Sequence, residues 1–386
     1  MAENKDKKVL NVPNLRFPEF EGEWQENYVN EICNEFKSGK AIKADLILDV
    51  GTYPVFGGNG LRGYTSTYNH DGLFVLIGRQ GALCGNVRSV IGKTYITEHA
   101  IAVNGNNKSD TNFLHYLFLQ MDLGRFSDQS AQPGLAVNKL LKLKVITPRI
   151  DEQRKIANLL RLLDERIATQ NKIIEKLESL IKGLNDSLYT QYGNDVKTSF
   201  ADLGTSYSGL SGKSIQDFGS GKPFITYLNV YSNNVINEKE FQFVAKKDDE
   251  KQNIVKYGDV LFTLSSETPE EVGIGSVYLG KEEVYLNSFC FGIHITKTKV
   301  AFPPYLSYYV ASTPFRKFIY PYAQGSTRFN LCKANFEKAS IILPSLENQK
   351  RIYSILKRIA YKIETEKSLL GLYNSQKLYM LCQMFI

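Results

Sequence analysis

Residues 145–188 read VITPRIDEQRKIANLLRLLDERIATQNKIIEKLESLIKGLNDSL. The stretch opens on a short apolar run, Val145-Ile146-Thr147-Pro148, and then Gln153, Ile156, Leu160, Leu163, Ile167, Gln170, Ile174, Leu177, Ile181, Leu184 and Leu188 follow at alternating spacings of three and four. That is a heptad seam sustained over about five heptads. The positions between are mostly polar or charged, as in Asp164-Glu165-Arg166 and Glu175-Lys176. A helix this long with one narrow apolar stripe requires a partner helix rather than a broad core.

The partner lies in the same chain. A shift of 196 residues carries Pro148 onto Pro344, Gln153 onto Gln349, Ile156 onto Ile352, Leu160 onto Leu356 and Ile167 onto Ile363, with Arg154-Lys155 falling on Lys350-Arg351. The polar break recurs, Gln170 falling on Glu366, and the second seam continues through Ile359, Leu370, Tyr373 and Met380 with Lys377 as a flaw. A period this long excludes a solenoid and implies a duplicated unit of domain plus helix. Upstream, Phe113-Leu114-His115-Tyr116 matches Tyr305-Leu306-Ser307-Tyr308 at an offset of 192, and Ala131-Gln132-Pro133-Gly134 with Val137-Asn138 matches Ala323-Gln324-Gly325-Ser326 with Phe329-Asn330 at the same offset. Asp71-Gly72-Leu73-Phe74 loosely echoes Gly258-Asp259-Val260-Leu261-Phe262. The helices match well and the domains poorly, as expected if a constant connector joins two domains that bind different things.

Bulk properties narrow the class. The chain has 386 residues, enough for two domains with real cores. Apolar runs such as Leu73–Ile77 are too short to span a membrane, and the charged start Met1–Lys8 is no signal peptide, so a cytoplasmic protein is expected. Cys33, Cys84, Cys290, Cys332 and Cys382 are scattered without metal or redox spacing, which predicts free thiols and no metal. The net charge of +7 favours an anionic partner, but no segment is a basic tail, so any nucleic-acid contact must come from patches made by folding.

Along the chain, Val12-Pro13-Asn14-Leu15-Arg16-Phe17-Pro18-Glu19-Phe20 predicts an extended lead-in packed on the domain surface, followed by Trp24 and a short helix or turn over 28–36. Strands are predicted at 53–56 (ending in the Gly57-Gly58-Asn59-Gly60 turn), 73–78, 95–103 and 145–146, with an amphipathic helix over 112–126. The second half predicts strands at 259–264, 275–279, 285–296 and 341–343. Pro303-Pro304 opens a helix to about Tyr320, kinked at Pro314. The fold class is therefore α+β without βαβ alternation: globular domains 1–147 and 196–343, helical regions 148–195 and 344–386, the two helices pairing as a coiled coil.

Catalytic motifs are incomplete. Gly212-Lys213-Ser214 resembles the end of a phosphate loop, but Tyr207 stands where that loop needs its first glycine. Phe302-Pro303-Pro304-Tyr305 resembles the motif with which amino-methyltransferases hold a flipped base, but Phe302 lacks the polar group that would accept the target amine. His70, His99, His115 and His294 are solitary and are read as structural or surface groups. What remains is a binding vocabulary. Arg62, Arg79, Gln80, Asn86 and Arg88 stand among glycines, near Tyr64 and Tyr68, and Arg, Gln and Asn are the side chains that read purine edges. The second half offers Lys213, Lys222, Thr263, Ser265, Ser266, Arg328, Asn330 and Lys333, residue types that also serve phosphates.

With these residues in view, the chain resembles the specificity subunits of type I restriction-modification systems. The resemblance rests on the lead-in from Val12 to Phe20, on Gly57-Gly58-Asn59-Gly60-Leu61-Arg62-Gly63-Tyr64, on Ile77-Gly78-Arg79-Gln80-Gly81-Ala82, and on Pro148 with Gln153-Arg154-Lys155-Ile156-Ala157. It implies that each target domain docks on half of a split site in double-stranded DNA and that the two long helices pair antiparallel. A helix of about 40 residues spans roughly 60 Å, placing the domains about one duplex turn apart or somewhat more. It implies two modification subunits, bringing S-adenosylmethionine for adenine methylation, and restriction subunits using ATP and Mg, with no cofactor or active site in this chain. The competing readings are a self-contained DNA methyltransferase or nuclease with a fused recognition domain, and a coiled-coil scaffold that binds no DNA.

Overall fold

The computed structural model describes residues 10–127, 134–193, 195–247 and 249–386. Within it the chain divides into two compact units, one of residues 1–171 and 368–386, the other of 172–367. In the first unit the strands are β1 (Gln25–Tyr28), β2 (Cys33–Ser38), β3 (Tyr53–Gly57), β4 (Gly60–Thr65), β5 (Leu73–Gly78), β6 (Val87–Ile91), β7 (Tyr95–Ile96), β8 (Ala100–Gly105) and β9 (Lys144–Thr147). Its short helices are α1 (Val29–Ile32), α2 (Thr111–Gln120) and α3 (Val137–Leu140). The long helix α4 (Ile150–Tyr192) follows, then β10 (Val196–Thr198) and α5 (Phe200–Leu203). The second unit continues through β11 (Gly204–Ser208), β12 (Phe218–Ile225), α6 (Tyr227–Ser232), β13 (Gln242–Val244), β14 (Val260–Thr263), β15 (Ser265–Ser266), β16 (Gly275–Val277), β17 (Tyr285–Leu286) and β18 (Cys290–Ile295). It closes with α7 (Pro303–Tyr309), α8 (Thr313–Ile319), β19 (Ala323–Gln324), β20 (Phe329–Leu331), α9 (Lys333–Lys338), β21 (Ile341–Leu343) and the long helix α10 (Leu346–Met384).

The two units repeat one topology. A four-stranded antiparallel sheet has the order β2-β8-β5-β6 in the first and β11-β18-β14-β16 in the second. A three-stranded sheet stands beside it, β4-β3-β7 or β13-β12-β17, each containing one short parallel pair, Val55 with Tyr95 or Phe224 with Tyr285. A two-stranded ribbon, β1 with β9 or β10 with β21, closes each domain just before its long helix. The four-stranded sheets are covered on both faces. Along β5, Val75 and Ile77 enter one core cluster and Phe74 and Leu76 the other; along β14, Val260 and Phe262 enter one and Leu261 the other. That is the two-residue period of a strand buried on both sides, and it explains why these strands read as unbroken apolar runs.

The seam does two jobs. Ile156 and Leu160 sit in the first domain's core with Trp24, Phe113 and Leu117, and Ile352 and Leu356 sit in the second domain's core with Phe200 and Phe336. The expectation of a seam facing only a helix is therefore corrected at each helix start, where the stripe caps a domain. Further along, the helices pair antiparallel within each unit. In the first, Asp164 meets Lys377 at 2.5 Å and Arg166 lies over Tyr373, while Leu159 and Leu163 share a groove with Met380. In the second, Glu178 meets Lys367 at 2.8 Å. Leu163, Ile174 and Ile363 are buried, and Ile167, Leu177, Ile359 and Leu370 half-buried.

The repeated glutamines explain why the helix openings match so well. Gln153 is wholly buried; its Oε1 accepts from Asp110 N (2.9 Å) and Ser109 Oγ (3.1 Å), and its Nε2 donates to Lys108 O (3.0 Å) and Pro148 O (2.9 Å). Gln349 is also wholly buried; it accepts from Phe302 N (2.7 Å) and donates to Val300 O and Pro344 O (both 2.8 Å). Each amide ties the start of a long helix to the loop before α2 or α7 by hydrogen bonds to backbone groups of both.

Several local expectations change. Residues 28–36 hold only one helical turn, α1, and then enter β2. The segments 95–103 and 285–296 each break into two strands that belong to different sheets. The helix over 112–126 is α2 plus a separate 3-10 turn at Leu123–Phe126. Pro314 does not kink one helix: α7 ends at Tyr309, Ser312 caps α8, and Pro314 sits in its first turn. The lead-in carries no regular structure but is anchored, Leu15 N donating to Gln383 O (2.8 Å) and Arg16 gripping buried Glu152 through two 2.8 Å hydrogen bonds. The expectations placed on Met1–Lys8 and on Ala131, Gln132 and Pro133 lie outside the described residues.

Candidate functional site

In both domains the chain does the same thing at the end of the central strand. Beyond β5, Arg79 N donates to His99 O (2.9 Å), Leu135 N donates to Arg79 O (2.9 Å), and Gln80 bridges Gly134. Beyond β14, Leu264 N donates to Phe289 O (2.9 Å), Leu331 N donates to Leu264 O (2.8 Å), and Ser265 pairs with Asn330. Gln80 and Ser265 are thus equivalent, as are His99 and Phe289. The pattern also corrects the upstream alignment. Leu135 corresponds to Leu331, an offset of 196, so Gly134 answers to Asn330 and not to Ser326. The offset of 192 holds at α2 and α7, where Gln153 and Gln349 receive Asp110 N and Phe302 N. Four additional residues therefore lie between these points in the second domain. In the central strands Ile77, not Phe74, takes the place of Phe262, since Ile77 pairs with Ile101 and Phe262 with Phe291.

An open cleft lies at this place in each domain. The first, about 510 Å³, is lined by Gly57, Gly58, Asn59, Arg62, Gln80, Gly81 and His99. The tip of the β3–β4 hairpin forms one wall. Glycine is required there: a Cβ on Gly58 would meet His99 O at 2.7 Å, and Gly60 has φ +111° with the Arg88 guanidinium against it. Of the sequence candidates, Arg62 and Gln80 come together in the cleft, and both are exposed. Arg88 is half-buried behind the hairpin, and its Nε is buried without a partner among the described residues. Arg79 and Asn86 are half-buried and hold the base of the loop through their backbones, Gly78 N donating to Asn86 O at 2.8 Å. Tyr68 packs on Tyr53, ring centroids 5.0 Å apart, beneath Lys93. His99, which reads as a solitary surface group in the sequence, is a cleft residue; Asn59 is another that residue type alone did not single out.

The second cleft, about 620 Å³, includes Ser265, Ser266 and Arg328 from the candidates, with Tyr227, Tyr231, Glu271, Phe289 and Thr327 besides. Its lining is aromatic and acidic where the first is amide and cationic. Tyr227 and Tyr231, one turn apart on α6, stack with centroids 6.0 Å apart, and their i, i+4 spacing is the signal that could have found them. Glu271 accepts from Tyr231 Oη (2.8 Å) and Ser266 Oγ (3.1 Å), and these bonds, Tyr231 first, hold its carboxyl below the usual range. Arg328 lies over the exposed ring of Phe289, 5.8 Å from its centroid. The other candidates sit elsewhere. Lys213 is nearly buried and donates to Glu250 (2.5 Å) and Ala245 O (2.6 Å), which makes it a structural ion pair; Ser214 caps the next turn with Asp217. Lys222 is exposed on β12. Thr263 is buried and accepts from Ile274 N (3.0 Å). Asn330 is exposed on β20, and Lys333 pairs with Glu337 at 3.7 Å, above Phe291.

Among the described residues no group of three His, Cys, Asp or Glu could hold a metal ion, and the five cysteines are free thiols. His70 pairs with Glu35 at 2.9 Å and His294 with Asp259 at 2.8 Å, both structural contacts. Phe302 caps α7, its ring against Tyr353. No helix among the described residues is long and apolar enough to cross a membrane.

The sequence profile of the family described as "Type I restriction modification DNA specificity domain" matches this chain twice, over residues 21–179 and 211–371. The chain belongs to that family. As in its sequence repeat, it is a specificity subunit with two target-recognition domains. It is similar to the type I restriction enzyme EcoprrI specificity subunit of Escherichia coli, 42% identical over 154 residues, a match covering 39% of this chain and 38% of that protein. It is also similar to a chain assigned as a type I restriction enzyme specificity subunit from Haemophilus influenzae, 25% identical over 378 residues and 93% of each chain. Its fold is that of the S subunit of a type I restriction-modification system from M. genitalium, with a TM-score of 0.61, 16% identity, and 97% of this chain and 99% of that chain covered.

Proposed function

We propose that this specificity subunit reads a bipartite site in double-stranded DNA, one half through each cleft, and holds two modification subunits on its long helices, with restriction subunits joining the assembly. The observation that carries the reading is the pair of clefts at one topological position in two repeats, walled by different side chains. A duplicated scaffold that keeps the site's position and changes its chemistry is what recognition of two different half-sites requires. Arg62 and Gln80 have the donor and acceptor geometry for purine edges, and the side chains around Phe289 suit stacking and apolar contact. Catalysis then belongs to the partners: S-adenosylmethionine to the modification subunits, ATP and Mg to the restriction subunit. The subunit would work in the bacterial cytoplasm.

Methylation mapping of cells with and without the gene, in the presence of the cognate modification subunit, tests this. A split adenine-methylated motif that disappears with the gene is expected; an unchanged methylome overturns the reading. Methyl transfer to DNA by the purified chain with S-adenosylmethionine alone would favour the self-contained methyltransferase instead.

A further inference from the structure

Resting on that reading, we propose that His99 is a positioning residue which sets, by its protonation, which end of the Gln80 amide faces DNA. Both nitrogens of the His99 ring face acceptors: Nδ1 lies 3.1 Å from Gln80 Oε1 and Nε2 lies 3.3 Å from Glu98 Oε1. The first contact has hydrogen-bond geometry and the second is at ion-pair distance, so only the imidazolium can donate to Gln80 and pair with Glu98 at once. In that form Gln80 Oε1 is engaged by the ring, and the donor end, Nε2, is left for the cleft that Gln80 lines. When the ring is neutral and keeps its proton on Nε2 for Glu98, Nδ1 becomes an acceptor. The Gln80 amide then turns over to donate to it, and Oε1 faces the cleft. Protonation thus exchanges a reading donor for a reading acceptor. A donor suits guanine N7 and O6, thymine O4 or adenine N7; an acceptor suits the exocyclic amines of adenine and cytosine, so cytosine is the base that only the acceptor form can read.

The charged groups facing the ring are Glu98, 3.3 Å from Nε2, and Arg62, which lines the same cleft. The second domain has Phe289 at the equivalent place, so its strand-end position is read without such a switch, and a phenylalanine is compatible with this point of the fold.

The test uses the full modification complex. Its motif is first mapped by methylation, and the base specified through Gln80 is found as the one position relaxed in Gln80→Ala. Binding to duplexes carrying each of the four bases at that position is then measured from pH 5.5 to 8. For the unaltered subunit, the preference for guanine or thymine over cytosine is expected to fall on the order of tenfold across that range. In His99→Phe it should be independent of pH. A preference equally flat in the unaltered subunit and in His99→Phe overturns the inference, as does a Gln80→Ala variant that relaxes no position. Absence of any split motif would instead defeat the underlying DNA-reading function, so the two failures are distinguishable.

Discussion

At the scale of single residues, two buried amides and one imidazole carry consequences out of proportion to their size. Gln153→Ala removes four hydrogen bonds, those to Ser109 Oγ and Pro148 O fully buried and those to Asp110 N and Lys108 O part-buried, each worth about 1 kcal/mol and about 1–3 kcal/mol where the partner is left buried and unsatisfied. A loss of about 4 kcal/mol or more is expected in urea unfolding, with a similar effect for Gln349→Ala; wild-type midpoints in both would mean that the amides are not the pins described. His115 has Nδ1 buried without a partner among the described residues, and burial lowers its pKa from 6.5 to about 4. Between those values the unfolded chain takes up a proton that the folded chain does not. Its contribution is therefore complete above pH 6.5, falls as the pH drops, and levels off near pH 4, a change of about 3 kcal/mol at most. The stability difference between the unaltered chain and His115→Leu, followed by denaturation across that range, should carry this slope; a difference independent of pH would contradict it. The glutamines were visible in the sequence as repeat markers, because the same backbone problem recurs at both helix starts. Their role was not, because their partners lie some 45 positions upstream in chain order.

At the scale of elements, the long helices were legible because a narrow stripe over many turns leaves one solution. Strand boundaries were less so. Residues 95–103 and 285–296 look like continuous strands, yet each leaves the three-stranded sheet and turns at Thr97 or Asn287, where Ala100 N or Cys290 N closes a 3.0 Å bond, before entering the four-stranded sheet. A change of sheet leaves no trace in apolar periodicity. The break is also what exposes His99 and Phe289, so the part of the site that sequence missed coincides with the part of the fold that it missed. For the seam itself, changing Ile167 and Ile174 together to Asp would place charges among buried and half-buried apolar groups at a cost of several kcal/mol. Loss of solubility or of assembly with the modification subunits is expected. A soluble double variant with unaltered helical content and full activity would argue that the helices do not depend on this pairing.

At the scale of the whole molecule, duplication is the organising fact. Each repeat keeps its sheet order, its parallel strand pair, its closing ribbon and its glutamine pin, while the cleft linings diverge. If the helices set spacing and the clefts set sequence, the domains are exchangeable. The decisive measurement is the methylated motif in cells carrying a chimera whose residues 196–343 come from a related subunit of different specificity. One half of the motif should change to that of the donor, while the other half and the gap between them remain. An active chimera in which both halves change together would contradict the modular account.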